Sequence, residues 1–249
     1  CSKQSGSDNP LLQEWDTPFQ TAPFEKIKVE HYLPAFEAAI AEHDKEIQAI
    51  IDNAEAPTFD NTIAALDYSG QTLSKVAGVF YNMMAANTSE ELQKVNEKVG
   101  PLMATHSDNV SMNAKLFEKI KKVYDAKDSQ NYTGEQLALL EKTYNKFVRS
   151  GALLDAAKQE ELRKVNAELT KVEAKFDANL LKESKAYQLV IDKEENLKGL
   201  PQGEIEKAAA LAKEKGQEGK WIFTLDNPSF MPFVTYADNR DLRKEIFNA

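Results

Sequence analysis

Histidine is the side chain best suited to acid–base and metal chemistry near neutral pH, and the chain contains His31, His43 and His106. His31 and His43 fall in one predicted helix, where their spacing separates them by about 18 Å and prevents them from sharing a metal. His43 and Glu46 have the i, i+3 spacing of some carboxylate–histidine metal sites, but such sites need further ligands from neighbouring helices. We therefore interpret His43 and Glu46 as a surface ion pair, and we expect His106 to be a capping or surface residue.

Short catalytic motifs do not point to an active site in this sequence. HExxH, GxSxG, GxxxxGK[ST] and GxGxxG are all absent. Arg240 and Arg243 flank Asp241 with helical spacing and could clamp a carboxylate or peptide, but surface charge is the favoured interpretation. We predict no catalytic residue and no metal ligand in this chain, and the sequence leaves any substrate-binding residue unknown.

Composition and charge exclude several classes of partner. The chain has 249 residues and a net charge of −9, with 40 acidic and 31 basic residues. Lysine and glutamate alternate along the predicted helices, so the basic stripe that nucleic-acid binding requires is missing. No run of apolar residues approaches the length of a membrane-spanning helix. We expect an ordinary globular protein that does not bind nucleic acid.

Cys1 is the only cysteine, so neither a disulfide nor a cysteine zinc site can form within one chain. The small polar residues that follow it are typical of a tether, and together they resemble the start of a mature bacterial lipoprotein. We predict that Cys1 carries a lipid, which would be the only contact with a membrane. The expected location is the bacterial periplasm or cell envelope, with the cytoplasm as the alternative. The other interpretation of Cys1 is a chain boundary that happens to fall at a cysteine.

Apolar residues at helical spacing dominate the rest of the chain. Residues 133–184 predict a helical hairpin, with a capping box at Thr133 and Gln136 and a second cap at Asp155. Its longer arm has an apolar stripe that we expect the rest of the chain to cover. Earlier helices are predicted from Val29, over residues 61–86, after a capping box at Thr88 and Glu91, and over residues 114–126.

The pattern changes near the end of the chain. AYQLVI and KWIFTL predict two strands separated by a helix between Pro201 and Gly216. We expect these strands to pair in parallel through a right-handed crossover. A final helix is predicted from Pro232 or Phe233 to the end, with an exposed apolar patch over residues 230–247. The predicted fold is mainly α, a multi-helix domain with a long helical hairpin and a small α/β element near residues 186–225.

Several long phrases carry a family resemblance. They are NPLLQEW, PFEKIKVEHYLPAFEAAIAEHDKEI, PTFDNTIAALDYSGQTLSKVAGVF, LLEKTYNKFVRSGALL and GKWIFTLDNPSFMPFVTYADNRDLRKEIF. These phrases resemble the opening of the thimet-oligopeptidase family of zinc metallopeptidases. The similarity is greatest to the peptidyl-dipeptidase branch, followed by oligopeptidase A. The resemblance covers residues 9–249 in the same order and without large gaps.

The resemblance implies an almost wholly helical protein with a deep channel that admits short unfolded peptides. In the family, zinc lies on an HExxH helix of the C-terminal half, with a third glutamate ligand further on. This chain departs from that pattern because it has no HExxH, so no residue here inherits a catalytic role. We expect zinc in the parent protein, a dipeptide-releasing activity, and the chain's own catalytic half as a partner.

The expected domain organisation follows from these observations. Residues 1–23 are predicted to be a flexible tether and extended lead-in, and residues 24–249 the N-terminal helical domain, truncated before the catalytic half. The alternative is a non-catalytic helical binding module of a surface lipoprotein. An HExxH encoded downstream of Ala249 would favour the peptidase, and a stop codon would favour the module.

Overall fold

The structure is a computed structural model that describes residues 8–249, so Cys1 and its predicted lipid lie outside the described residues. The fold is mainly α, as the sequence predicted. The chain divides into two compact units, Cys1–Lys171 and Val172–Ala249. Each unit is described separately below.

Helices account for most of the first unit. They are α1 (Val29–Asp52), α2 (Ala65–Tyr68), α3 (Gln71–Ala86), α4 (Glu90–Ser111), α5 (Ala114–Asp125), α6 (Gly134–Arg149) and α7 (Ala156–Ala186), which continues into the second unit. A π-helical turn at Phe59–Ala64 leads directly into α2. The predicted continuous helix over residues 61–86 is therefore wrong. It breaks at Gly70, whose positive φ of 72° is open to glycine but strained for other residues.

Local capping signals set several of these helix ends. The predicted capping box at Thr133 and Gln136 starts α6, and Asp155 accepts from the Lys158 N–H at the start of α7. The predicted cap at Thr88 is wrong by one residue, because the Ser89 hydroxyl accepts from the Leu92 N–H. Serine and threonine are comparably able to cap, so the sequence alone could not choose between these neighbours.

Two apolar clusters form the core of the first unit. In one, Phe36 of α1 and Phe80 of α3 meet edge to face with ring centroids 5.4 Å apart. Leu11 of the lead-in is fully buried in the same cluster, whereas Phe19 of the lead-in is 98% exposed. The other cluster joins α1, α5, α6 and the π-helical turn around Leu140 and Ile63.

The apolar stripe of α7 does not pack as predicted. Five of its residues are more than half exposed: Val165 61%, Leu169 52%, Val172 54%, Phe176 64% and Leu180 56%. The expectation that the chain covers this stripe is therefore wrong for the described residues. Within the first unit, α7 instead reaches α4 through polar side chains, with Asn166 bonded to Asp108 and Arg163 to Asn109.

The second unit contains a small sheet and three short helices. They are β1 (Leu189–Ile191), α8 (Gln202–Glu214), β2 (Trp221–Phe223), α9 (Asn227–Tyr236) and α10 (Arg240–Asn248). The strands pair antiparallel, with Leu189 opposite Phe223 and Ile191 opposite Trp221. The predicted parallel crossover is therefore wrong. Turns with positive φ at Gly199 and Gly216 lie on either side of α8 and redirect the chain between the strands.

The end of the chain also differs from its prediction. The expected single helix is two helices, because the chain leaves the helical conformation at Ala237 and the Asn239 side chain caps α10. Phe223 and Phe233 are buried in the core of this unit, while Phe247 is 73% exposed. Phe233 is therefore not part of the predicted exposed patch, whereas Phe247 is exposed as expected. The size of the patch stays a prediction.

Candidate functional site

A group of titratable side chains in the first unit lies where α1 meets α4 and the turn between α2 and α3. Helix α1 contributes His43, Asp44 and Glu46, helix α4 contributes His106, and the turn contributes Ser69 and Gly70. The helical spacing of His43, Asp44 and Glu46 points their side chains in different directions from α1. His43 and Asp44 reach His106, and Glu46 reaches Gly70.

A continuous chain of hydrogen bonds joins these side chains. Nδ1 of His106 lies 3.1 Å from the Asp44 carboxylate, and Nε2 of His106 lies 2.8 Å from Nδ1 of His43. Nε2 of His43 then lies 3.0 Å from the Ser69 hydroxyl oxygen, and that hydroxyl donates to the Leu66 carbonyl at 2.7 Å. We call this series from Leu66 to Asp44 the imidazole chain.

The structure corrects both sequence interpretations of these histidines. His106 is 6% exposed and bonded at both ring nitrogens, so the prediction of a capping or surface residue is wrong. The Glu46 carboxylate accepts the Gly70 N–H at 2.7 Å, so the predicted surface pair with His43 is also wrong. One signal was present in the sequence: His106 lies two helical turns after buried Val99 and so shares its face.

Gly70 allows the turn to approach the imidazole closely. A Cβ at this position would lie 3.0 Å from Cε1 and Nδ1 of His43, and its φ of 72° is strained for residues with a side chain. The absence of a side chain therefore lets the peptide N–H reach Glu46 while Ser69 reaches His43.

Burial and the neighbouring charges act in opposite directions on His43. Desolvation is the largest cause that lowers the pKa of His43 below its ordinary value of 6.5, and the adjacent His106 lowers it further. The Glu46 and Asp44 carboxylates raise the same pKa, but by less than burial lowers it. The neutral form of His43 is therefore favoured in the folded chain.

The arrangement does not match a nucleophilic or zinc site. The Ser69 proton is directed at the Leu66 carbonyl and not at a base, so Ser69 is not activated as a nucleophile. Zinc, which the family resemblance implies, does not fit these histidines, because their facing nitrogens bond each other and the outer nitrogens contact Ser69 and Asp44. Across residues 8–249, no group of three or more His, Cys, Asp or Glu side chains is placed to hold a metal ion.

Arg243 has a structural role in the second unit. Its guanidinium donates to the backbone carbonyls of Ala237 and Asp238, at the C-terminal end of α9. Arg240 is exposed at the start of α10. The sequence alternative of a peptide clamp at these arginines is not supported, because Arg243 is engaged with the chain's own backbone.

Comparison with known proteins shows which proteins this chain resembles in sequence. No protein-family model matches the chain. A dipeptidyl carboxypeptidase of Salmonella typhimurium is 35% identical over 243 residues, covering 98% of this chain and 36% of the relative. The dipeptidyl carboxypeptidase of Escherichia coli is 33% identical over 97% of this chain and 35% of its own length. Oligopeptidase A of Salmonella typhimurium is 27% identical over the same shares, 97% and 35%.

The fold and the site define a mainly helical protein in which residues 8–249 provide no metal centre. The chain is similar to dipeptidyl carboxypeptidases and to oligopeptidase A over nearly its whole length, which confirms the resemblance seen in the sequence. The chain spans about a third of the length of these relatives. Among the described helices, no segment has both the length and the apolar character to cross a membrane.

Proposed function

We propose that this chain is the N-terminal, non-catalytic portion of a zinc metallopeptidase that releases dipeptides from the C-termini of short peptides. The observation that carries the proposal is the 35% identity to a dipeptidyl carboxypeptidase over 98% of the chain. Identity to oligopeptidase A is lower, at 27%, which supports the dipeptide-releasing branch over the oligopeptidase branch.

The described side chains support a structural share in this activity. Zinc peptidases need three protein ligands and an open coordination position for water, and residues 8–249 hold no group of that kind. Helices α1 to α6 instead bury large apolar side chains such as Phe36, Phe80 and Leu140 in continuous clusters. We assign the hydrolytic chemistry to the remainder of the parent protein. To this chain we assign a helical framework that supports it.

The experiment compares the 249-residue chain with the longer product of the same reading frame. Zinc content after dialysis and cleavage of a short peptide are measured for both. We expect no stoichiometric zinc and no cleavage from the chain alone, and chelator-sensitive cleavage from the longer product. One equivalent of zinc retained by the chain alone, together with peptide hydrolysis, would contradict the proposal, as would a stop codon directly after Ala249.

The products distinguish the two branches of the family. Mass spectrometry of the digest should show successive loss of two residues from the C-terminus of the peptide. The matched control is the same peptide with an amidated C-terminus, which lacks the carboxylate that defines the end of the substrate. Internal cleavage of both peptides at similar rates would favour an oligopeptidase activity instead.

A further inference from the structure

The hydrogen bonds of the imidazole chain require more protons than its neutral groups supply. The Leu66 carbonyl and the Asp44 carboxylate can only accept, so Ser69, His43 and His106 must provide a hydrogen for every link. The links are Leu66 to Ser69, Ser69 to His43, His43 to His106, and His106 to Asp44. A hydroxyl and two neutral imidazoles carry three such hydrogens for these four links, so one link is left without a proton.

We propose that the imidazole chain is a one-proton site, which holds a single extra proton between His43 and His106 and thereby fastens α1 to α4 and to the turn at Ser69. With that proton in place, every link has one donor and one acceptor. Without it, one link fails. Nδ1 of His43 and Nε2 of His106 face each other at 2.8 Å as two lone pairs, or Ser69 leaves Leu66, or Nδ1 of His106 faces the Asp44 carboxylate without a proton.

The surroundings place the extra proton on the His106 ring. Nδ1 of His106 is bonded directly to the Asp44 carboxylate, so a charge on this ring is balanced within 3.1 Å. His43 resists a charge of its own, because burial and the neighbouring His106 lower its pKa. The other groups facing the pair are the Glu46 carboxylate of α1, which accepts from Gly70, and the uncharged Ser69 hydroxyl.

A site that holds one proton and resists a second gives a defined dependence of stability on pH. In the unfolded chain, each imidazole is half protonated near its ordinary value of 6.5, so the two together bind about one proton there. Above this pH the native pair binds more protons than the unfolded pair, and stability falls as pH rises. Below this pH the unfolded pair binds more, and stability falls as pH decreases. The contribution of the pair should therefore be greatest where the unfolded pair binds one proton, and should decline on either side of that point.

The test is nitrogen NMR of the 249-residue chain labelled at histidine, followed across the pH range around neutrality. With the extra proton in place, we expect both ring nitrogens of His106 to carry a hydrogen and His43 to be neutral with its proton on Nε2. A through-hydrogen-bond coupling between Nδ1 of His43 and Nε2 of His106 should be present and should disappear as pH rises. Two imidazoles that titrate independently at their ordinary value would overturn the proposal, as would a second proton binding together with the first.

A charge substitution checks the same site without removing either imidazole. Asp44 is 59% exposed, so Asp44→Asn should fold, and its amide oxygen can still accept from His106. We expect the extra proton to leave at lower pH in this variant. Asp52→Asn is the matched control, since it removes the same charge from exposed α1 surface two helical turns away. Equal effects of the two variants, or no effect of Asp44→Asn, would contradict the assignment.

Discussion

Nε2 of His106 lies 2.8 Å from Nδ1 of His43, although 63 residues separate the two histidines along the chain. This contact joins the middle of α1 to the second half of α4. The single proton proposed for this contact would make the packing of these two helices depend on pH.

Gly199 should be intolerant of any side chain. A Cβ at Gly199 would lie 2.1 Å from the Tyr236 carbonyl oxygen and 2.7 Å from the Asp238 carboxylate, and its φ is 86°. We expect Gly199→Ala to destabilise the protein by about 2 kcal/mol or more, from left-handed strain and displacement of the α9 end. Urea unfolding measures the loss.

Gly203 provides the control for that substitution. No atom lies within 4 Å of a Cβ at Gly203, which falls in the first turn of α8. Gly203→Ala should be neutral or stabilising by up to about 1 kcal/mol, because alanine favours the helix. A similar loss for both variants would show that the close contact at Gly199 does not govern its effect.

Phenylalanines on neighbouring helices should differ sharply in their contribution to stability. Phe147 of α6 is 3% exposed within a core cluster, whereas Phe176 of α7 is 64% exposed. We expect Phe147→Ala to cost about 3–5 kcal/mol through lost burial and the cavity left behind. Phe176→Ala should change the free energy of unfolding by less than about 0.5 kcal/mol. A large loss from Phe176→Ala would mean that its side chain is covered in solution.

Arg243 should contribute to stability through the end of α9. Its guanidinium donates to the Ala237 and Asp238 carbonyls, and a charged donor to a helix end is worth about 1–2 kcal/mol. Arg243→Ala should lower the free energy of unfolding by that amount. Arg240→Ala is the control, because Arg240 is exposed at the start of α10 and should have little effect. Thermal unfolding of the two variants compares them directly, and equal losses would refute the assigned contact.

Lipid attachment at Cys1 stays a prediction from the sequence. If the parent protein is lipid-anchored in the cell envelope, protein from its native cell should partition into detergent, and Cys1→Ala should release it to the soluble fraction. Ser5→Ala changes the same segment without removing the thiol and should leave partitioning unchanged. An unmodified Cys1 in the mass spectrum of the native protein would end this hypothesis.

Local features were predictable from the sequence because neighbouring residues determine them. The capping box at Thr133 and Gln136 and the cap at Asp155 were identified from side-chain types at fixed offsets. The strands at Leu189–Ile191 and Trp221–Phe223 were identified from β-branched and aromatic residues, but their direction was not. Strand composition is the same for parallel and antiparallel pairs, and the intervening turns decide the direction.

Long-range features were missed for a related reason. Periodicity shows which α7 residues share a face, but it does not show that another element covers them, and Phe176 is exposed. The contact between His43 and His106 depends on how α1 and α4 pack, which no local pattern encodes. The family resemblance succeeded where local patterns could not, since it rests on long phrases that match relatives over nearly the whole chain.

Helix α7 has a consequence for how the protein melts. The boundary between the compact units falls between Lys171 and Val172, inside the single helix Ala156–Ala186. Unfolding of one unit would leave a new helix end near the boundary, and the helical turns beyond that end would lose hydrogen bonds that now hold them. Loss of the second unit would therefore weaken turns of α7 that belong to the first unit. One of these turns holds Asn166, whose side chain donates to Asp108. The two units should unfold in overlapping transitions, with α7 transmitting instability between them.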